Sequence, residues 1–136
     1  MVVATALAGA VAVAASAHVQ AGGLPAYTDG YAKWEKLNRR PITSPGAHDG
    51  VKNVYASKRI GTRRRFPEGT VIVKSIAQPG RPGPPGQVAV MRKVRGTWQW
   101  VEYTRADGRY QVLARGGVCT SCHVQARATD WVFTRR

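Results

Sequence analysis

An α+β domain, mainly an antiparallel β-sheet with a helix near each end, is the fold class this sequence predicts. Three observations carry it: β-prone runs follow one another through the middle of the chain, two tight-turn dipeptides join consecutive runs, and helix signals are confined to the two ends. With 136 residues, one domain around one core is expected. No internal repeat is visible.

The elements follow in order. Met1 to Ala17 is almost wholly Ala, Val, Gly and Leu, carries no charged side chain and ends in the small-residue pattern Ala15-Ser16-Ala17. This reads as a secretory signal, shorter than the roughly 20 apolar residues of a bilayer span. The division is therefore residues 1–21 as signal peptide and 22–136 as one domain. The signal places the protein in the periplasm. Ala21 to Asp29 has linker composition, and Thr28 or Asp29 is positioned to cap a helix carrying Tyr27, Tyr31, Trp34 and Leu37, closed by Pro41. Ser44-Pro45-Gly46 and Asp49-Gly50 mark turns before a β-prone run from Val51 to Ala56.

A basic loop leads to the clearest strand, Thr70 to Ala77, in which Val71, Val73 and Ser75 alternate with Ile72, Lys74 and Ile76. Pro79, Pro82, Pro84 and Pro85 make the following segment an irregular loop. Gln87 to Lys93 and Thr97 to Thr104 flank Arg95-Gly96 as a hairpin, and Asp107-Gly108 turns the chain into Tyr110 to Ala114. Gly116-Gly117 ends that run.

Charge narrows the partners. There are 21 Lys and Arg against 7 Asp and Glu, a net charge of +14, concentrated in Arg39-Arg40, Lys58-Arg59, Arg63-Arg64-Arg65 and Arg135-Arg136. These clusters fall in turn-like segments without interleaved aromatic residues, so nucleic acid is not expected. A solvated basic face that steers an acidic redox partner, associates with an anionic membrane or simply keeps the protein soluble fits better.

The two cysteines carry the chemistry. Cys119-Thr120-Ser121-Cys122-His123 has the Cys-x-x-Cys-His form of a c-type haem attachment site, here near the C-terminus. Thiols three positions apart reach the two vinyl groups on one edge of a porphyrin, and the adjacent His123 supplies an axial ligand to the iron. A zinc site would need a fourth ligand, and the other histidines are His18 and His48. A thioredoxin-like pair would want a βαβ context, and a plain disulfide leaves His123 without a role. No methionine follows His123, and Met91 on its β-prone run reads as a core side chain. One protein ligand leaves the iron's sixth position open, which favours small-molecule binding over simple electron relay.

Further residues carry a resemblance. Tyr31-x-x-Trp34, Ser44 to His48, Val54-Tyr55, Phe66 to Lys74, Met91-Arg92-Lys93, Gly96-x-Trp98, the cysteine motif and Asp130-x-Val132-Phe133, in this order and spacing, resemble the cytochrome P-460 and cytochrome c-prime-beta family. The resemblance implies a mainly antiparallel β-fold, a homodimer and a five-coordinate haem. It also implies either a nitric oxide binding role, as in the c-prime-beta branch, or hydroxylamine oxidation with a lysine joined to the porphyrin, as in the P-460 branch.

Lys74 falls where the resemblance has the crosslinking lysine, and its place between Ile72 and Ile76 on one strand face would lower its pKa and make the amine nucleophilic. A lysine packing its stem while its head reaches water is the plainer reading. The catalytic glutamate of the P-460 branch corresponds to Ala89, which cannot accept a proton. Glu102, sharing a strand face with Trp98 and Trp100, could stand in if it points inward. Phe66 resembles an apolar distal residue of the c-prime-beta branch, with core packing the equal alternative. Lys52 stands where the P-460 branch has a basic distal residue, although a solvated strand lysine is the simpler account. The expectation is thus a haem c protein for a small gaseous or nitrogenous ligand, with Phe66, Lys74 and Ala89 near the ligand and Lys74 and Glu102 as candidate catalytic groups.

Overall fold

Alternation along Val71 to Ala77 divides the molecule in two, because successive side chains of a strand point to opposite faces. Val71 and Val73 join Val88, Val90 and Tyr103 in one buried cluster; Ile72 joins Val54, Ala56, Met91, Trp98 and Trp100 in the other. The computed structural model describes residues 22–134, so the signal-peptide expectation for 1–21, His18 and Arg135-Arg136 lie outside the described residues.

Among the described residues six antiparallel strands run in sequence order: β1 (Glu35–Lys36), β2 (Val51–Ala56), β3 (Val71–Ala77), β4 (Gln87–Val94), β5 (Thr97–Ala106) and β6 (Arg109–Arg115). Each strand therefore pairs with the one before it, and tight turns close two of these pairs, β4–β5 and β5–β6. Arg95 and Gly96 both take left-handed backbone, as do Asp107 and Gly108, and this twist suits a two-residue hairpin between right-twisted strands. The Glu68 carboxylate accepts hydrogen bonds from the Arg95 and Gly96 amides, which offsets the strain of Arg95 at positive φ.

The α+β class holds, with one difference in detail at the N-terminal end. The expected helix through Tyr27 and Leu37 is two short 3-10 turns, Ala26–Thr28 and Tyr31–Lys33, followed by the edge strand β1. Left-handed Gly30 separates the turns, and Trp34 is already extended. Tyr27, Tyr31 and Trp34 pack on the valine-rich face, while Leu37 reaches the opposite core. That exchange favours a bent ribbon over a straight helix.

At the other end, helix α1 (Gly117–His123) starts after Gly116, which has a positive φ of 54°, and continues into a 3-10 segment, Val124–Thr129. It lies on the tryptophan-rich face, where Cys119 packs against the core. The N-terminal turns thus cover one face and the cysteine motif the other.

Candidate functional site

Helix α1 places Cys119 and Cys122 one turn apart, and both thiols are free. Burial, then the Glu102 carboxylate, pushes the Cys119 thiol above its usual value. A thiol held protonated is a poor redox nucleophile, which weighs against a thioredoxin-like pair.

His123, the last residue of α1, is half-buried, its ring centroid 4.5 Å from that of Trp100 and 5.1 Å from that of Phe133. Its Nδ1 lies 2.8 Å from the Trp131 carbonyl oxygen. Because a carbonyl can only accept, Nδ1 carries the proton, and Nε2 is left with a lone pair. Burial, followed by the charges of Lys74 and His48, holds the imidazole below its ordinary pKa against the opposing Trp131 hydrogen bond. A neutral ring with one nitrogen fixed by a carbonyl is the form that ligates a metal.

Strand register assembles the next group. Lys74 pairs with Ala89, Ala89 with Glu102 and Glu102 with Ala114, so these four side chains form one row across β3 to β6 on the same face as α1. Glu102 points inward, and its carboxylate accepts a 3.0 Å hydrogen bond from His48 Nδ1. Burial comes first, then Lys74, in pushing His48 below its ordinary pKa, with Glu102 opposing. For Lys74 the order is burial, then Lys52, with Glu102 again opposing, and the result is a lowered pKa. The sequence expectation for this amine is met by the same physical cause, desolvation on an apolar strand face.

Of the two other residues, Lys52 departs from its simplest reading and Phe66 meets its core-packing alternative. Lys52 is not a solvated strand lysine: it is buried, and its Nζ donates to the carbonyls of Ser44 at 2.6 Å and His48 at 2.9 Å. It holds the loop that delivers His48 to Glu102. Phe66 is buried edge-on against Trp98, at a centroid distance of 6.0 Å. Trp98 pairs with Lys93, four residues along β4 from Ala89, which is roughly 13 Å of strand. Lys74, Ala89 and Glu102 therefore stand together with α1, whereas Phe66 belongs to a neighbouring part of the same core.

His48 lies between turn signals, and no local feature of the sequence assigns it a role. Its partner is 54 positions away, and only its place in the Ser44 to His48 stretch of the resemblance drew attention to it. Asp130, which accepts hydrogen bonds from the Phe66 amide, Lys93 and Trp98, was likewise no more than part of a matched stretch.

The residues fit a haem. Two free thiols and an unprotonated ring nitrogen sit within one helix, and exposed Val118, Val124 and Phe133 supply apolar surface beside them. Among the described residues no three His, Cys, Asp or Glu side chains gather as an alternative metal site. Comparison with known proteins gives one finding. The family model described as Cytochrome P460 matches residues 28–134. Neither the curated proteins nor the solved structures give a significant match.

Proposed function

This chain belongs to the cytochrome P460 family, a family of haem proteins, and from that premise we propose that it is an exported c-type haem protein binding a small ligand such as nitric oxide. Cys119 and Cys122 would hold the porphyrin by thioether bonds, and His123 Nε2 would hold the iron. Haem bound in this way supplies an iron with a free coordination position for a diatomic ligand. The carrying observation is the commitment of His123 Nδ1 to the Trp131 carbonyl, which leaves Nε2 as donor on the helix that bears both thiols.

The chain's own residues then set what can bind. Ala89 offers no donor or acceptor beside Lys74, and burial keeps the Lys74 amine nearer neutrality than a solvated lysine. A site so arranged favours a small uncharged ligand over a hydrated ion. The N-terminal signal supports a periplasmic location, and the basic clusters support encounter with an acidic redox partner. Val112 and Leu113, exposed on edge strand β6, support a homodimer.

A second reading rests on a specific observation. Glu102 brings a carboxylate into the Lys74 row and holds His48 Nδ1, so that His48 Nε2 and Glu102 are available to accept protons. That arrangement favours hydroxylamine oxidation, with Lys74 joined to the porphyrin.

An absorption spectrum separates the two readings. Reduced protein, purified from a host competent in cytochrome maturation, is expected to give an ordinary high-spin haem spectrum. A strongly red-shifted Soret band would indicate the lysine crosslink, and loss of hydroxylamine turnover in Glu102→Gln would then establish the enzyme. Colourless protein with the mass of bare polypeptide would refute both.

A further inference from the structure

Asp130 and Trp131 are consecutive residues other than glycine, and both hold left-handed backbone, at φ 56° and 66°. Bulky side chains rarely adopt that conformation, and it persists where surrounding contacts over-determine it. Here one carboxylate supplies the contacts. Asp130 Oδ2 accepts from Lys93 Nζ at 2.6 Å and from the Phe66 amide at 2.8 Å, while Oδ1 accepts from Trp98 Nε1 at 3.3 Å. The side chains of Lys93 and Asp130 are only 5% and 6% exposed. The Trp131 amide closes the kink on the Ala126 carbonyl at 2.7 Å.

The kink has a defined product. It turns the Trp131 carbonyl back onto His123 Nδ1, and its side chain packs edge-on against Trp100, whose ring lies on His123. Lys93 and Trp98 reach Asp130 from the sheet, and Phe66 from the loop before β3. Three separate parts of the chain therefore converge on the residue next to the histidine's acceptor.

We propose that the buried Lys93–Asp130 pair is a positioning device for His123: it holds the Trp131 carbonyl on Nδ1, and so sets the tautomer and ring orientation with which Nε2 meets iron. The inference rests on the haem reading above. A buried ion pair is a weak stabiliser, since its desolvation offsets much of its attraction, so its larger effect falls on geometry. A carbonyl on Nδ1 also makes the imidazole a stronger donor, and losing such a partner typically changes ligand or metal affinity by about tenfold or more.

The test uses ferrous holoprotein with carbon monoxide as probe. Asp130→Asn keeps the shape and tolerates left-handed backbone, but it removes the ion pair and weakens the acceptor of the Phe66 amide. The double variant Lys93→Met/Asp130→Asn leaves no buried charge without its partner, so it decides the matter where the single variant fails to fold. In either, the iron–histidine stretching band in the resonance Raman spectrum is expected to fall in frequency and broaden, with the carbon monoxide dissociation rate changed about tenfold. Glu68→Gln is the control: this carboxylate also holds two backbone amides, but on the β4–β5 hairpin, so it is expected to lower the melting temperature and leave the band in place. An unchanged band in folded, haem-bearing Asp130→Asn or double variant overturns the inference while leaving the haem reading intact. Wild-type protein that carries no haem overturns both.

Discussion

Lys74 occupies a position that works against its own charge. It lies between Ile72 and Ile76 on β3, and its largest perturbation is desolvation, followed by the Lys52 ammonium. A lysine whose folded pKa lies below 10.5 binds protons less readily folded than unfolded, so stability is lost as pH falls and the charged form opposes folding at neutral pH. In protein without a lysine–haem bond, Lys74→Met is expected to raise stability by about 1 kcal/mol, read as a higher urea midpoint. A lower midpoint would mean that Glu102 compensates the charge more fully than burial opposes it. His48 follows the same sign, because burial lowers its pKa below 6.5. Its contribution is fully present above that value and declines below it. The urea midpoint is expected to fall between about pH 7 and about pH 5, and His48→Asn to flatten that slope. The environment of Lys74 was legible from strand alternation alone. The His48–Glu102 contact was not, since nothing local in either segment encodes a partner 54 residues distant.

Among the elements, β2 to β6 were legible because each is a β-prone run, and β4 to β6 are also joined by turns that admit one geometry. Arg95-Gly96 and Asp107-Gly108 adopt the left-handed pairs that close hairpins, and β4 and β5 follow at once. The N-terminal segment misled in detail because Tyr27, Tyr31, Trp34 and Leu37 have helical spacing, yet their burial is divided between two faces of the sheet. A straight helix presents one stripe to one surface. The entry to β2 carries a sharper constraint. Gly50 has φ 122°, and a Cβ there would lie 2.6 Å from the Ala77 carbonyl oxygen, at the end of the β2–β3 ladder. Gly50→Ala is expected to cost about 2 to 4 kcal/mol by urea denaturation. Gly96→Ala, strained at φ 75° but with no atom within 4 Å of the new Cβ, is expected to cost about 1 kcal/mol. Equal losses would show that strain alone, without the clash, sets the penalty.

At the scale of the whole molecule, the sheet separates two tasks. The valine and tyrosine face is closed by the N-terminal turns, and the tryptophan face receives α1, the Lys74 row and the Asp130 network. Strand β6 is one edge of the sheet among the described residues, met at the Tyr110 amide by the Gly22 carbonyl, with Val112 45% and Leu113 51% exposed farther along. Dimerisation along this edge predicts that Leu113→Lys shifts the sedimentation coefficient from dimer to monomer while leaving the haem spectrum in place. Unaltered sedimentation would move the interface elsewhere. By itself the sequence determined the class of the fold, the β-prone runs of β2 to β6 with the two hairpin turns, and the Cys119, Cys122 and His123 motif, because each depends on residues within a few positions of one another. Only the tertiary structure decided that Lys74, Ala89 and Glu102 form a single row, that His48 closes on Glu102, and that Lys93, Trp98 and the Phe66 amide converge on Asp130 beside the histidine's acceptor. Those contacts are set by strand register and by convergence of distant segments on a common buried site, where the local physics of each segment allows many partners and packing selects one.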